Sequence, residues 1–297
     1  MRLRVGVVLA AAAAIAATGC GGSGGGGGST SSSMTTSSTT TSGASRDAKR
    51  VLAAAPGKVK DANSSKVSFS IAVDSDKLAN EITIPGSGAF DYAGKEGRLT
   101  LDYGAVLSVA GQSGNGEMEV LTKGNTYYLK WPLFSTAVGA STPWVSFDIS
   151  KLDQITGFDT SSLRQVNQGD PSQTLVYLRA AGTVEDHGTE DVAGVSTTKY
   201  HAVIDLDKVP GLAPAAQRAS VRASINSMKE QYGISELPMD VWIDADGLPR
   251  KLFYEISAKV QGQNVKSSMT MNLSDYGVDV NVQAPPSSQV TDLASIK

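Results

Sequence analysis

Hydrophobic and polar residues alternate along much of the chain after residue 60. In the first such run, Val67, Phe69, Ile71 and Val73 alternate with polar or small residues. Period-two alternation is typical of a β-strand with one buried face, because successive side chains point to opposite sides of a sheet. The same alternation recurs at 99–103, 118–120, 127–131, 200–206, 239–243, 252–258 and 265–273.

Short polar segments between these runs predict tight turns. Lys123-Gly124-Asn125 separates two of the runs, and Asp244-Ala245-Asp246-Gly247 separates another two. Glycine adopts the positive φ that hairpin turns need, so both segments indicate that the neighbouring strands are antiparallel. We therefore predict an antiparallel meander of about nine to eleven strands.

Helical patterns are few. The first spans about residues 46–60, where Pro56 is expected to bend or end the helix. The second spans 171–181 behind Asp170 as a cap, and the third spans 215–232, with Gly233 as its stop. A few helices packed on the concave face of one large curled antiparallel sheet define an α+β fold.

The first nineteen residues have the order of a secretory signal peptide. Two arginines precede a short apolar run, and small residues end it before Cys20, which is the single cysteine. The string Ala17-Thr18-Gly19-Cys20 resembles the bacterial lipobox, whose cysteine is acylated and becomes the mature N-terminus. We expect a signal peptide at 1–19 and lipid on Cys20. An ordinary signal peptide followed by an incidental free thiol is the alternative.

Residues 21–45 are almost entirely Gly, Ser and Thr. A segment of this composition is predicted to remain a flexible coil with a reach of roughly 25–30 Å. Two interpretations stay open, a plain spacer or a tract that carries O-linked sugar. Residues 46–297 contain no second low-complexity break, so the domain assignment is a lipidated tether over 20–45 and one domain over 46–297.

Charge and candidate chemistry argue against several classes of function. Removal of the two signal-peptide arginines lowers the basic count from 26 to 24 against 29 acidic residues, so the mature net charge would be −5. A mildly acidic chain has no electrostatic basis for binding nucleic acid. There is no G-x-S-x-G motif, and the two histidines, His187 and His201, are far apart in sequence. We therefore expect neither an enzyme nor a cofactor.

One connection is richer in bulky apolar residues than a surface loop needs. It runs from Trp131 to Trp144 and includes Pro132-Leu133-Phe134. Such side chains either plug one edge of the sheet or line an entrance to a cavity. The sequence leaves both interpretations open.

Several strings make the chain similar to a known family, the actinobacterial lipoproteins of the LppX/LprG type, which are LolA-like carriers of lipidated molecules. The resemblance covers nearly the whole mature chain and marks the fold and its turns. The matching strings are Trp131-Pro132, 143–148, Asp170-Pro171, 194–200, 205–207, 238–244, 247–250 and 276–286.

The resemblance implies a membrane-anchored envelope protein that binds or transfers lipids or glycolipids in an apolar cavity between sheet and helices. Its partners would be the membrane, a lipid or glycolipid ligand and, as a further candidate, an envelope transporter. The alternative is a non-catalytic adaptor or sensor that binds a protein through the sheet or the Trp131–Trp144 connection. Apolar residues expected to face inward are the candidate pocket: Phe69, Ile71, Leu101, Leu129, Leu133, Phe134, Val241, Ile243 and Ile256.

Overall fold

The computed structural model describes residues 39–149, 175–213, 215, 218–260 and 262–296. The predicted signal peptide, Cys20 and the tether up to residue 38 lie outside them. The strands are β1 (Ser64–Ser75), β2 (Ile82–Asp91), β3 (Glu96–Asp102), β4 (Glu117–Lys123), β5 (Thr126–Lys130), β6 (Trp144–Asp148), β7 (Ala181–Val192), β8 (Val195–Asp205), β9 (Glu236–Asp244), β10 (Pro249–Val260), β11 (Gln263–Ser274) and β12 (Val290–Asp292). The α-helices are α1 (Thr39–Asp61), α2 (Gly104–Val109), α3 (Pro132–Ala137), α4 (Val209–Leu212) and α5 (Arg218–Tyr232).

All twelve strands belong to one curled, unclosed sheet, in the order β12-β6-β5-β4-β3-β2-β1-β11-β10-β9-β8-β7. Every neighbouring pair is antiparallel except β12 and β6, which are parallel. The predicted α+β class and the curled antiparallel sheet are confirmed. Four of the twelve strands, β2, β6, β7 and β12, lie outside the predicted runs. Most of β7 is exposed on both faces, and β12 has only three residues.

The main core lies between the concave face of β7–β11 and β1 and the helices that cover it. Helix α1 buries one apolar stripe at positions three or four apart, and α5 buries Val221 and Ile225 against the same cluster. The buried stripe of α1 consists of Ala48, Leu52, Ala55 and Val59. Among the described residues, no helix is both long and apolar enough to cross a membrane.

The first helix begins earlier than predicted and ends within one residue of its predicted limit. It begins at Thr39, inside the stretch assigned to the tether, and it continues past Pro56 to Asp61. Of the two expectations for Pro56, an end of the helix was wrong, and a bend stays a prediction. Proline removes one backbone donor, but Val59 in the following turn is fully buried, and its packing against the sheet stabilises the helix beyond Pro56.

The other two predicted helices are present in part. Helix α5 ends at Tyr232, and Gly233, with φ +69°, donates its N–H to the carbonyl of Lys229 at 2.8 Å, as expected for a glycine stop. Of the predicted 171–181 helix, residues 171–174 lie outside the described part. Leu175 and Leu178 are both buried in the main core, and a 3-10 helix spans Tyr177–Ala180.

Glycines on the concave side of β2 and β3 allow neighbouring groups to approach closely. A Cβ on Gly86 would lie 2.3 Å from the ring of Phe69, and a Cβ on Gly88 would lie 2.2 Å from the backbone carbonyl of Arg98. A larger residue would push the ring and the strand backbone away. These positions therefore suit the strong bend of the sheet.

The C-terminal segment covers the convex face of the strands near β6. Val282 packs with Leu121 and Trp144 in a separate apolar cluster. Its N–H donates to Glu96 Oε2 at 3.2 Å, and its carbonyl accepts from Lys123 Nζ at 3.1 Å. This half of the sheet is therefore held from behind, while α3 and Leu293 pack on Val145 at its concave face.

Truncation of the α1 stripe is expected to destabilise the protein. Leu52→Ala removes a side chain with 0% exposure, so we expect a loss of about 2–5 kcal/mol in the free energy of unfolding by urea titration. Leu133→Ala on α3, where the side chain is 39% exposed, is the control and should change stability by no more than about 0.5 kcal/mol. Equal losses would contradict the assignment of α1 to the core.

Replacement of Ala193 is expected to stabilise the β7–β8 hairpin. Ala193 has φ +54° and precedes Gly194, which also has positive φ. Asparagine tolerates this geometry better than alanine, so Ala193→Asn should raise the free energy of unfolding by about 0.5–1 kcal/mol. Ala93→Asn, in a turn where φ is not positive, should bring no such gain. Calorimetric melting of both variants tests the assignment.

Candidate functional site

A band of half-buried apolar side chains crosses the concave face from β5 to β10. We call this band the apolar trough. The strand pairing places its members on one face of the sheet, and it is interrupted at β2 by the two glycines described above. Its residues are Phe69, Ile71, Leu99, Met118, Val120, Leu129, Tyr254, Ile256 and Met269.

Helices pack on both the β7–β9 side of the trough and its middle strands. The main core closes the β7–β9 side under α1 and α5. Val106 of α2 packs on Ile82, Ile84 and Leu101 of β2 and β3. Six of the nine trough residues pack against one or both clusters, and within the described part of the chain all nine stay half-buried.

The nine predicted pocket residues fall into three groups. Phe69, Ile71, Leu129 and Ile256 lie in the trough. Three others are fully packed beneath the helices and form the walls. These are Leu101 with 7%, Val241 with 0% and Ile243 with 2% exposure.

The last two predicted pocket residues come from α3 at the β6 edge. Phe134 packs half-buried on Val145 and Leu293. Leu133 is exposed and points away from this cluster's core. The structure therefore places neither of them among the trough residues, although α3 lies at the end of the band.

Five trough residues were missing from the predicted pocket, namely Leu99, Met118, Val120, Tyr254 and Met269. Each lies in a strand whose alternation is visible in the sequence. The signal that would have found them is pairing. Val120 pairs with both Leu99 and Leu129, so the inward face of one strand identifies that of its neighbours.

Tyr254 brings a hydroxyl group into otherwise apolar surroundings. Its O–H donates to Met269 Sδ at 3.1 Å, and thioether sulfur is a weak acceptor. Burial, with a smaller contribution from Tyr177, raises the pKa of Tyr254 to about 12. The phenol therefore stays neutral at ordinary pH.

A polar cleft of about 530 Å³ opens where β1, β10 and β11 meet the end of α5. Ala258, two residues beyond Ile256 on the same face of β10, connects it to the trough. Lys266 lies 2.8 Å from Glu255, and the hydrogen bond between them raises the pKa of Lys266. The lining residues are Asp74, Ser75, Asp76, Tyr232, Ser257, Ala258, Lys259, Asn264, Val265 and Lys266.

The Trp131–Trp144 connection divides between the two faces of the sheet. Trp144 is buried on the convex side beneath Val282. Trp131 lies half-buried with its ring 5.3 Å from that of Tyr103, and its buried indole N–H has no hydrogen-bond partner among the described residues. The connection therefore both plugs one side and borders the trough on the other.

The geometry of the polar cluster on the convex face indicates a structural role. Asp240 accepts from His201 Nδ1 at 2.7 Å and pairs with Lys199 at 3.1 Å. Burial acts to raise the pKa of Asp240, but these partners outweigh it and lower the pKa. The ammonium groups of Lys199 and Lys251 lie 4.9 and 4.3 Å from the ring centre of Trp242. Within the described residues, no three potential ligand side chains form a metal-binding group.

Comparison with known sequences finds one clear relative. No family model matches the chain. An uncharacterised 31.2 kDa protein of Streptomyces griseus, from the rplA-rplJ intergenic region, is 27% identical over 227 residues, which cover 73% of this chain and 71% of the relative. That similarity supplies no function.

Comparison with solved structures finds lipoproteins. LprF from Mycobacterium bovis matches with a TM-score of 0.44 and 14% identity, over 81% of this chain and 98% of that one. Mycobacterium tuberculosis lipoprotein LppX gives 0.41 and 16%, over 79% and 99%. The LolA superfamily protein NE2245 from Nitrosomonas europaea gives 0.28 and 12%, over 79% and 94%. At these values the matches carry no conclusion about family, ligand or activity.

Removal of the Tyr254 hydroxyl should alter stability at high pH. Because the folded-state pKa is raised to about 12 above the ordinary value near 10, the unfolded chain loses this proton first. This difference in pKa contributes up to roughly 2–3 kcal/mol to the free energy of unfolding. The contribution is complete below about pH 10 and is lost as the pH rises towards about 12. Tyr254→Phe should therefore flatten the decline measured by urea titration. An unchanged slope would contradict the burial of this hydroxyl.

Proposed function

We propose that this protein is a membrane-anchored lipoprotein of the cell envelope that binds lipid acyl chains in the apolar trough. The observation that carries the proposal is the set of nine half-buried apolar side chains on one concave face, which the described residues gather without covering them fully. A folded chain ordinarily buries such a surface. An apolar ligand would complete that burial.

The energetics favour an acyl chain as the ligand. Each methylene transferred from water contributes about 0.8 kcal/mol, so a long chain gains on the order of 10 kcal/mol before the costs of ordering and association. The trough crosses seven strands, from β5 to β10 in the sheet order. At about 4.8 Å per strand, it is roughly 29 Å long, which suits an extended acyl chain better than a compact ligand.

The polar groups at the trough's margins suit a lipid headgroup. The cleft at one end carries both carboxylates and ammonium groups, and the Trp131 N–H and Tyr254 hydroxyl border the band. A ligand with an apolar tail and a polar head would match this division. No reactive residue is needed, since binding or transfer breaks no bond.

Attachment to the membrane is the second part of the proposal. It is supported by the basic and apolar N-terminus, the lipobox-like string before Cys20 and the Gly/Ser/Thr composition that follows. A ligand-binding body held close to a bilayer can exchange lipid with it.

Mass spectrometry of the N-terminal peptide should show Cys20 as the first residue, with a diacylglycerol adduct.

The lipid-binding proposal is tested on full-length protein extracted from bacterial membranes. Native mass spectrometry should detect a non-covalent lipid that leaves on denaturation. Ile71→Glu puts a charge into the trough, so it should lower lipid occupancy by at least about tenfold, the effect of about 1.4 kcal/mol.

The matched control is Ser70→Glu, which introduces the same charge one residue away on the convex face. It should retain lipid at the level of the unchanged protein, and circular dichroism of both variants verifies that they fold. Absence of lipid from the unchanged protein, together with no uptake of added fatty acid, would contradict the proposal. Recovery of one stoichiometric protein instead would support an adaptor role.

A further inference from the structure

Three cations lie close together before the middle of α1, and Lys58 and Lys60 are exposed in its last turn. Arg46 and Arg50 are exposed one turn apart, and Lys49 donates a hydrogen bond to the carbonyl of Gly182. Arg179, exposed on the adjoining 3-10 helix, donates from Nε to the carbonyl of Ala53 at 3.4 Å. We call the set of Arg46, Lys49, Arg50 and Arg179 the basic α1 face.

This surface contrasts with the charge of the whole chain. The chain has a net charge of −3, whereas Asp47 is the carboxylate of the described residues that lies on α1 among its cations, and Asp205, beside Gly182, pairs with Lys208 at 2.9 Å. Asp47 pairs with Arg50 at 2.9 Å, but both side chains stay largely in solvent, at 68% and 80% exposure. A pair this exposed contributes little energy and does not remove the local positive potential.

The basic α1 face lies on the same rim of the sheet as the polar cleft. Lys49 contacts Gly182 at the start of β7. Neighbouring strands are antiparallel, so β7 and β9 begin at the rim where β8 and β10 end. The β10 and β11 residues that line the cleft lie at this same rim. The other end of α1 lies at the opposite rim, where Lys58 would contact a Cβ placed on Gly247 at 3.5 Å.

The chain that precedes α1 limits how far this rim can move from a membrane. Eighteen residues, 21–38, separate Cys20 from Thr39. Their Gly/Ser/Thr composition predicts a root-mean-square span of about 21–25 Å. A lipid on Cys20 would therefore keep the beginning of α1 within a short distance of the headgroups, where an electrostatic contact forms readily.

We propose that the basic α1 face docks on the surface of an anionic phospholipid bilayer and so turns the cleft rim towards the membrane. The inference rests on the proposed membrane attachment. Surface cations attract anionic lipid within about a Debye length, which is about 8 Å at physiological salt. Ala53, Ala54 and Gly57, on the outer side of α1, leave the helix surface low enough for this approach. The docked orientation, and not the tether alone, would then bring the polar cleft at the end of the trough close to the lipid headgroups.

The test uses full-length lipidated protein in vesicles of phosphatidylcholine alone or mixed equally with phosphatidylglycerol. A fluorophore is attached at Ala54→Cys, beside the cations, or at Ala93→Cys, exposed on the opposite rim. Quenching by spin-labelled headgroups reports proximity. We expect quenching at Ala54→Cys in the anionic vesicles, its loss at high salt, and little quenching at Ala93→Cys.

Charge reversal provides the decisive comparison. Arg46→Glu with Arg50→Glu should reduce the membrane-facing population by at least about fivefold for each arginine. Lys95→Glu with Arg222→Glu makes the same change of net charge away from α1 and should leave quenching unchanged. An unquenched Ala54→Cys label, or equal effects of the two double variants, would overturn the inference. An unmodified Cys20 in the same preparation would instead overturn the membrane attachment on which it rests.

Discussion

Coverage of the concave face is the constraint on which the rest of this structure depends. A sheet of twelve strands presents more apolar surface on its inner side than α1 and α5 can cover. Those helices close the β7–β11 side, and α2 closes a smaller cluster near β2. The remaining band is the trough. Partial coverage produces both a stable core and an apolar site from the same face.

The convex face also stabilises the β3–β6 half of the sheet. Val282, held by Glu96 and Lys123, packs against Leu121 and Trp144 from behind. On the concave side, α2 covers Leu101 of β3, and α3 covers Val145 of β6. Burial on the convex face therefore supports strands whose inner side is only partly covered by the described residues.

The sequence predicts the inward face of each strand better than it predicts how the sheet is completed and covered. Alternation and turn glycines predict the antiparallel sheet, because a period of two follows directly from strand geometry. It does not reveal β7, whose outer residues are exposed on both faces, or the parallel contact of β12. Pro56 does not end α1, because the tertiary packing of Val59 outweighs the low helix propensity of proline.

In the candidate site too, the sequence predicts which residues face inward but not which of them the helices cover. Alternation identified inward residues such as Ile71 and Ile256, which line the trough, and equally Val241, which lies under a helix. Which inward positions the helices cover depends on contacts between elements distant in sequence, and alternation carries no information about those contacts. The register between neighbouring strands places Met269 beside Ile71 and Val120 beside Leu99 on that face.

Methyl NMR of the full chain during titration with a long-chain fatty acid tests the central claim most directly. The account predicts shifts for the methyl groups of Ile71, Leu129 and Ile256 in the trough, and unchanged positions for Ile204, which is fully buried in the main core. Shifts confined to residues outside the trough, or none at saturating fatty acid, would contradict the claim that this concave band binds lipid.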